Sequence, residues 1–169
     1  MEDDLPEPWL RGPINDVHPL VMPLFFTFSQ VVEDLAKHTA GLAREQVWRK
    51  VDGASLGFHL KHIPGTVDRL ITYLMGQQLS EQQLQALKQE SEGEESLDEL
   101  LRLMEETFRR AEDQLRHVDP QSLYEARSVG RRALPTTVIG LIVHLAEHTQ
   151  RHLGQAITTS KLLRQPDSL

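Results

Sequence analysis

The stretch Leu141-Ile-Val-His-Leu-Ala-Glu-His-Thr-Gln-Arg-His-Leu-Gly-Gln155 sets His144, His148 and His152 at four-residue steps. On an α-helix, positions four apart differ by about 40° around the axis and one turn along it, so the imidazoles form a ladder on one face. The apolar stripe of the same segment is Ile142, Leu145, Leu153, Ala156 and Leu163. His152 lies in register with Leu145 and Ala156, and His148 in register with Leu141, so these two rings point into the interior or to its edge. A buried imidazole needs partners for both nitrogens, and a pair of them invites a shared cation. The zincin version of that pair is excluded, because no glutamate directly follows the first histidine.

Working outward, Thr136 or Thr137 caps this helix, which reaches about Leu163. Three further long amphipathic segments precede it. The first, about residues 16–40, repeats Leu20, Leu24, Phe28, Val31, Val32 and Leu35 at three- and four-residue steps and stops at Gly41. A short piece from Leu42 to Trp48 leads through Asp52-Gly53 into the second, about 54–76, lined by Phe58, Ile63, Leu70, Ile71 and Leu74. Ser80 and Gln83 fit a capping box opening a short helix near 81–89. Glu90-Ser-Glu-Gly-Glu-Glu95 reads as a solvated loop. After Ser96 comes the third long helix, with Leu97, Leu100, Leu101, Met104, Phe108, Ala111 and Leu115, ended by Asp119-Pro120. Residues 121–135 read as an irregular connection. Four long helices without a visible strand ladder predict an all-α four-helix bundle over residues 15–165, preceded by a proline-rich extended arm at 1–14 whose Trp9-Leu10 gains by packing on the domain. The connections exceed the usual 2–8 residues of bundle loops, which permits crossovers.

With 169 residues the chain suits one domain. Its 18 Lys and Arg against 25 Asp and Glu leave a net charge of −7. That balance argues against nucleic acid as a partner. There is no cysteine, which excludes disulfides, thiolate metal sites and a cysteine nucleophile. No segment approaches the ~20 apolar residues of a membrane span, and Met1-Glu-Asp-Asp4 lacks the basic start of a secretory signal. A cytoplasmic location and no membrane partner are expected.

A third ligand for the His148/His152 pair has to come from another helix. His62 is the candidate, sharing a sector of the second helix with Phe58, Thr66 and Arg69. Three neutral imidazoles leave at least one coordination position open, as in catalytic rather than structural metal sites. His144 is a third rung or a polar neighbour of the site. His18, His38 and His117 stand near helix ends and read as surface or capping residues. Arg69 and Tyr73, seven and eleven residues after His62, and Gln155, seven after His148, share the ligands' directions. Arg69 and Tyr73 are candidates for contacting an anionic substrate, and Gln155 for orienting a metal-bound ligand. An ion pair for Arg69 and a core position for Tyr73 are the alternatives.

The closing motif, together with Gly57-Phe-His-Leu-Lys-His-Ile63 and Asp68-Arg-Leu-Ile-Thr-Tyr-Leu74, resembles the DinB/YfiT-like superfamily over nearly the whole chain. The resemblance implies an up-down-down-up four-helix bundle holding a divalent transition metal, with zinc, nickel and iron all admissible. It places the second-helix ligand on His62, with His59 as competitor, and the fourth-helix pair on His148 and His152. Pro64-Gly65 interrupts the match, and a proline inside a helix predicts a kink. Relatives include thiol-dependent transferases, so the resemblance implies a metal-dependent transferase or hydrolase acting on a small molecule, with a small thiol as cosubstrate. The alternative is a non-enzymatic metal-binding or stress-associated dimeric module. A homodimer is expected, from the family and from the apolar run Phe25-Phe26-Thr27-Phe28.

Overall fold

A computed structural model describes residues 5–165. Four long helices dominate it: α1 (Met22–Thr39), α3 (Leu56–Leu74), α5 (Leu97–Leu115) and α6 (Val138–Leu163). Two short helices, α2 (Arg44–Trp48) and α4 (Glu81–Lys88), lie in the connections. The principal packings run α1 to α6, α6 to α3, α3 to α5 and α5 back to α1. This is a four-membered ring, with the consecutive long helices α1 and α3 placed on a diagonal. The all-α bundle is as expected. No described helix is long and apolar enough to cross a membrane.

Local chemistry sets the helix starts. The Ser80 hydroxyl accepts from the Gln83 N–H at 3.2 Å while the Gln83 side chain accepts from the Ser80 N–H at 3.0 Å. Ser96 and Glu99 repeat the reciprocal pair at the start of α5. Each pair satisfies two backbone donors that a helix end otherwise leaves open. Thr137, one of the two expected caps, accepts from Gly140 at 3.1 Å and starts α6. The first helix begins at Met22, not near residue 16. Pro19 disfavours helix in the residue before it, whereas Pro23 sits in the first turn, where its missing N–H costs nothing. Leu20, counted in the expected stripe, consequently lies outside the helix and is exposed.

The absence of strands is corrected. Lys50–Val51 pairs with Ala54–Ser55 (β1, β2), and Ala126–Val129 pairs with Leu134–Thr137 (β3, β4), each antiparallel. Asp52 and Gly53, with φ of 51° and 92°, form the first hairpin's two-residue turn, the Asp-Gly pattern that suits left-handed turn positions. The connection at 121–135 is therefore ordered, beginning with a 3-10 turn at Pro120–Tyr124.

The core is built from Leu24, Phe28, Val31 and Leu35 of α1, Leu60, Ile63 and Val67 of α3, Leu100, Met104 and Phe108 of α5, and Leu145, Leu153 and Ala156 of α6. Phe28 and Phe108 stack with ring centroids 4.2 Å apart. Phe25 also joins this core, which leaves Phe26 and Thr27 half-buried at the surface. In the N-terminal arm a 3-10 turn spans Pro8–Leu10 and packs on α1. Its anchors are buried Pro8 and the ion pair of Arg11 with Glu33, while Trp9 and Leu10, expected to pack down, are exposed. Residues 1–4 of the arm lie outside the described residues.

α3 runs as one helix through Pro64. Buried residues on both sides of the proline, Leu60 and Ile63 before it and Val67 and Leu70 after it, join the same core, and tertiary packing supplies what the lost backbone bond does not. At the start of α3, Gly57 meets the face of Trp48: a Cβ there would lie 2.7 Å from the indole. Gly57→Ala is expected to destabilise the domain by about 1 kcal/mol net, overpacking against the rigid ring outweighing the gain in helix propensity. Urea unfolding measures it, and a stabilised variant would show that Trp48 has room to yield.

Candidate metal centre

The histidines meet where α3 packs against α6. Phe58, half-buried in the first turn of α3, stacks on the His62 ring at 5.1 Å and presents an edge to His59 and His152. From the opposite helix the four-residue step brings His148 and His152 side by side, ring centroids 4.6 Å apart. The His62 ring lies 4.4 Å from that of His152 and 5.1 Å from that of His148. One ligand atom from each of His62, His148 and His152 falls within 4.8 Å of the others, and these three are positioned to bind a metal ion.

His59, the competitor of His62, is nearly fully buried and stands behind the trio, its Nδ1 3.1 Å from Nδ1 of His152. One of these nitrogens donates and the other accepts, so His59 fixes the orientation of the His152 ring. His144 lies at the outer end of the ladder. It is exposed, 5.5 Å from the His148 ring, and bonded to Glu147, which also pairs with Arg151. Gln155 is exposed and borders a cavity of about 380 Å³ that it shares with His59 and Arg151. Tyr73 is a core residue.

Arg69 does not face open space. Its Nη1 donates to Glu90 Oε1 at 2.5 Å and its Nη2 to Thr66 Oγ1 at 3.1 Å. The partner overturns another expectation, because Glu90 is not in a solvated loop: it is 5% exposed. Its second oxygen, Oε2, lies 2.7 Å from His62 Nδ1. Polarity does not separate Glu90 from Glu92, Glu94 and Glu95. The available signal was Arg69 itself, a guanidinium between Val67 and Leu70 on a helix otherwise bound for the core, which requires a buried counter-charge.

Burial, reinforced by neighbouring histidines, pushes His59 and His148 down to about 4 and His152 to about 3. These rings are neutral at neutral pH, the state in which imidazole nitrogens serve as metal ligands. The residues also fit a cation on a second ground. His148 Nδ1 is buried and has no hydrogen-bond partner. Such an atom carries an uncompensated desolvation cost unless it meets a ligand. Three imidazoles form a donor set suited to zinc, nickel, copper or iron rather than to calcium or magnesium.

The DinB superfamily family model matches residues 27–156, which takes in α3, most of α6 and all three histidines. The chain belongs to the DinB superfamily. Comparison with curated proteins gives no match. In this DinB-superfamily protein the histidine trio is built across the contact between α3 and α6.

Proposed function

We propose that this protein is a divalent-metal-dependent enzyme that acts on a small molecule by thiol transfer or hydrolysis. The observation that carries the reading is the trio His62, His148 and His152, which offers three imidazole ligand atoms within 4.8 Å of one another, with a buried His148 nitrogen unpaired. Three protein donors leave at least one position for an exchangeable ligand. A zinc, nickel or iron ion held there would supply Lewis-acid chemistry, easing loss of a proton from water or from a thiol cosubstrate.

The chain's own residues supply the rest. Phe58 covers the His62 ring and excludes water from that side. His59 holds the His152 ring through their paired Nδ1 atoms. The neighbouring cavity, bordered by His59, Arg151 and Gln155, has space for a small polar molecule, and Gln155 brings both a donor and an acceptor to it. Elemental analysis of protein purified without a histidine tag is expected to find about one transition-metal equivalent per chain. In cobalt-substituted protein, a small thiol should produce a new sulfur-to-metal charge-transfer band. A spectrum indifferent to thiol, azide and water analogues would mean a coordinatively closed site, and the enzyme reading would fail.

A further inference from the structure

His62 is held by a charged partner that the sequence did not disclose. The Glu90 carboxylate faces two groups at once: Oε1 takes the Arg69 guanidinium at 2.5 Å and Oε2 faces His62 Nδ1 at 2.7 Å. Arg69 has only donors to offer, and a carboxylate ion paired with it only accepts. The hydrogen in the contact with His62 therefore belongs to Nδ1. The other side of the ring agrees. Thr66 Oγ1 accepts from Arg69 Nη2 at 3.1 Å, which leaves its own hydrogen free to point at His62 Nε2, 3.4 Å away. In the metal-free protein an Nε2 that receives a hydroxyl hydrogen carries a lone pair, which the hydroxyl would yield to a cation by turning away.

We infer that Glu90, braced by Arg69, is a positioning residue that fixes His62 as its Nδ1–H tautomer and so presents the Nε2 lone pair to the cation. The purpose rests on the metal-binding reading above, whereas the tautomer is a property of the protein alone. Carboxylates behind metal-ligating histidines orient the ring and raise its basicity, and their loss typically weakens metal binding 10–100-fold. The carboxylate is delivered by a fastened loop. Trp48 Nε1 donates to the Glu95 carbonyl at 2.9 Å, and Lys61 Nζ donates to the Glu92 carbonyl at 3.0 Å and to Glu95 Oε1 at 2.9 Å. Room for it comes from Gly65, where a Cβ would lie 2.4 Å from Glu90 Oε1 and 2.9 Å from Arg69 Nη1. The Pro64-Gly65 step that interrupts the family resemblance is thus where α3 admits a carboxylate to its histidine.

Two variants separate charge from placement. In Glu90→Gln, the amide oxygen must face Arg69, which turns the NH2 group toward His62 Nδ1 and forces the hydrogen onto Nε2. Gly65→Ala keeps the charge but pushes the carboxylate aside, and the displaced atoms are ends of flexible side chains, so the helix survives. Nitrogen-15 histidine NMR of the metal-free protein at mildly alkaline pH should show His62 as Nδ1–H in the wild type and as Nε2–H in Glu90→Gln. Zinc affinity, measured by competition with a chromophoric chelator, should fall about 10–100-fold in both variants while circular dichroism is retained. A wild-type Nε2–H tautomer, or zinc affinity unchanged in both variants, would overturn the inference. The wild-type measurement stands even if a variant fails to fold. Wild-type protein with the Nδ1–H tautomer but no zinc binding would uphold the positioning of His62 and overturn the functional reading instead.

Discussion

Replacing His62, His148 and His152 together with alanine is expected to abolish stoichiometric metal binding and leave the helical bundle standing. The three rings are only partly buried and stand apart from the apolar core, which is centred on residues such as Leu60, Leu145 and Leu153. His148 Nδ1 has no partner to lose, and the contacts of His62 with Glu90 and of His152 with His59 tie the site together rather than the core. Each single replacement should have the same qualitative effect, because two imidazoles without the third give neither the charge stabilisation nor the geometry of the trio. His59→Ala is the informative contrast. His59 touches His152, so its loss should weaken binding about tenfold by freeing that ring without removing a donor. Metal content after dialysis, with circular dichroism as the folding control, decides the matter. A triple variant that still carries one equivalent would place the metal elsewhere.

The pairing of His148 with His152 was legible because its pattern is local. His148 and His152 lie one helical turn apart on one segment, and the register of Leu145 and Ala156 says which way they face. The four bundle helices were legible for the same reason, the capping pair Ser80/Gln83 marked the start of α4, and Ser96 stood directly before α5. Legibility ended where the deciding partner is distant in sequence or the element is too short to have a period. Strands of two to four residues, such as Lys50–Val51, show no alternation, and only the Asp52-Gly53 turn betrays the hairpin. At the first helix, periodicity carried Leu20 into the stripe although Pro19 argued against helix there. Glu90 is the instructive failure. Its loop is acidic from end to end, and the residue that makes one carboxylate functional, Arg69, lies 21 positions away. Pro64-Gly65 breaks the motif in the sequence, and the space over Gly65 is filled by that carboxylate.

Loading with zinc is expected to stabilise the wild-type domain strongly, and a leucine at position 148 should reverse the usual relation between stability and binding. A ligand that binds only the folded state adds RT ln(1 + [L]/Kd), about 4 kcal/mol at a thousandfold excess over Kd. For a domain whose total stability falls in the usual range of about 5–15 kcal/mol, that is a large fraction, visible as a raised urea midpoint. Without metal, the trio is a liability: His148 Nδ1 is buried and unpaired, at a cost of about 1–3 kcal/mol. His148→Leu replaces the imidazole with an apolar group of similar size and removes that cost. The metal-free variant should therefore be more stable than the metal-free wild type, by about 1–2 kcal/mol, and should gain nothing from zinc. Paired urea titrations with zinc and with chelator give both numbers. If His148→Leu is instead less stable than the metal-free wild type, the ring is a packing element of the bundle. If it still responds to zinc, His148 is not a ligand.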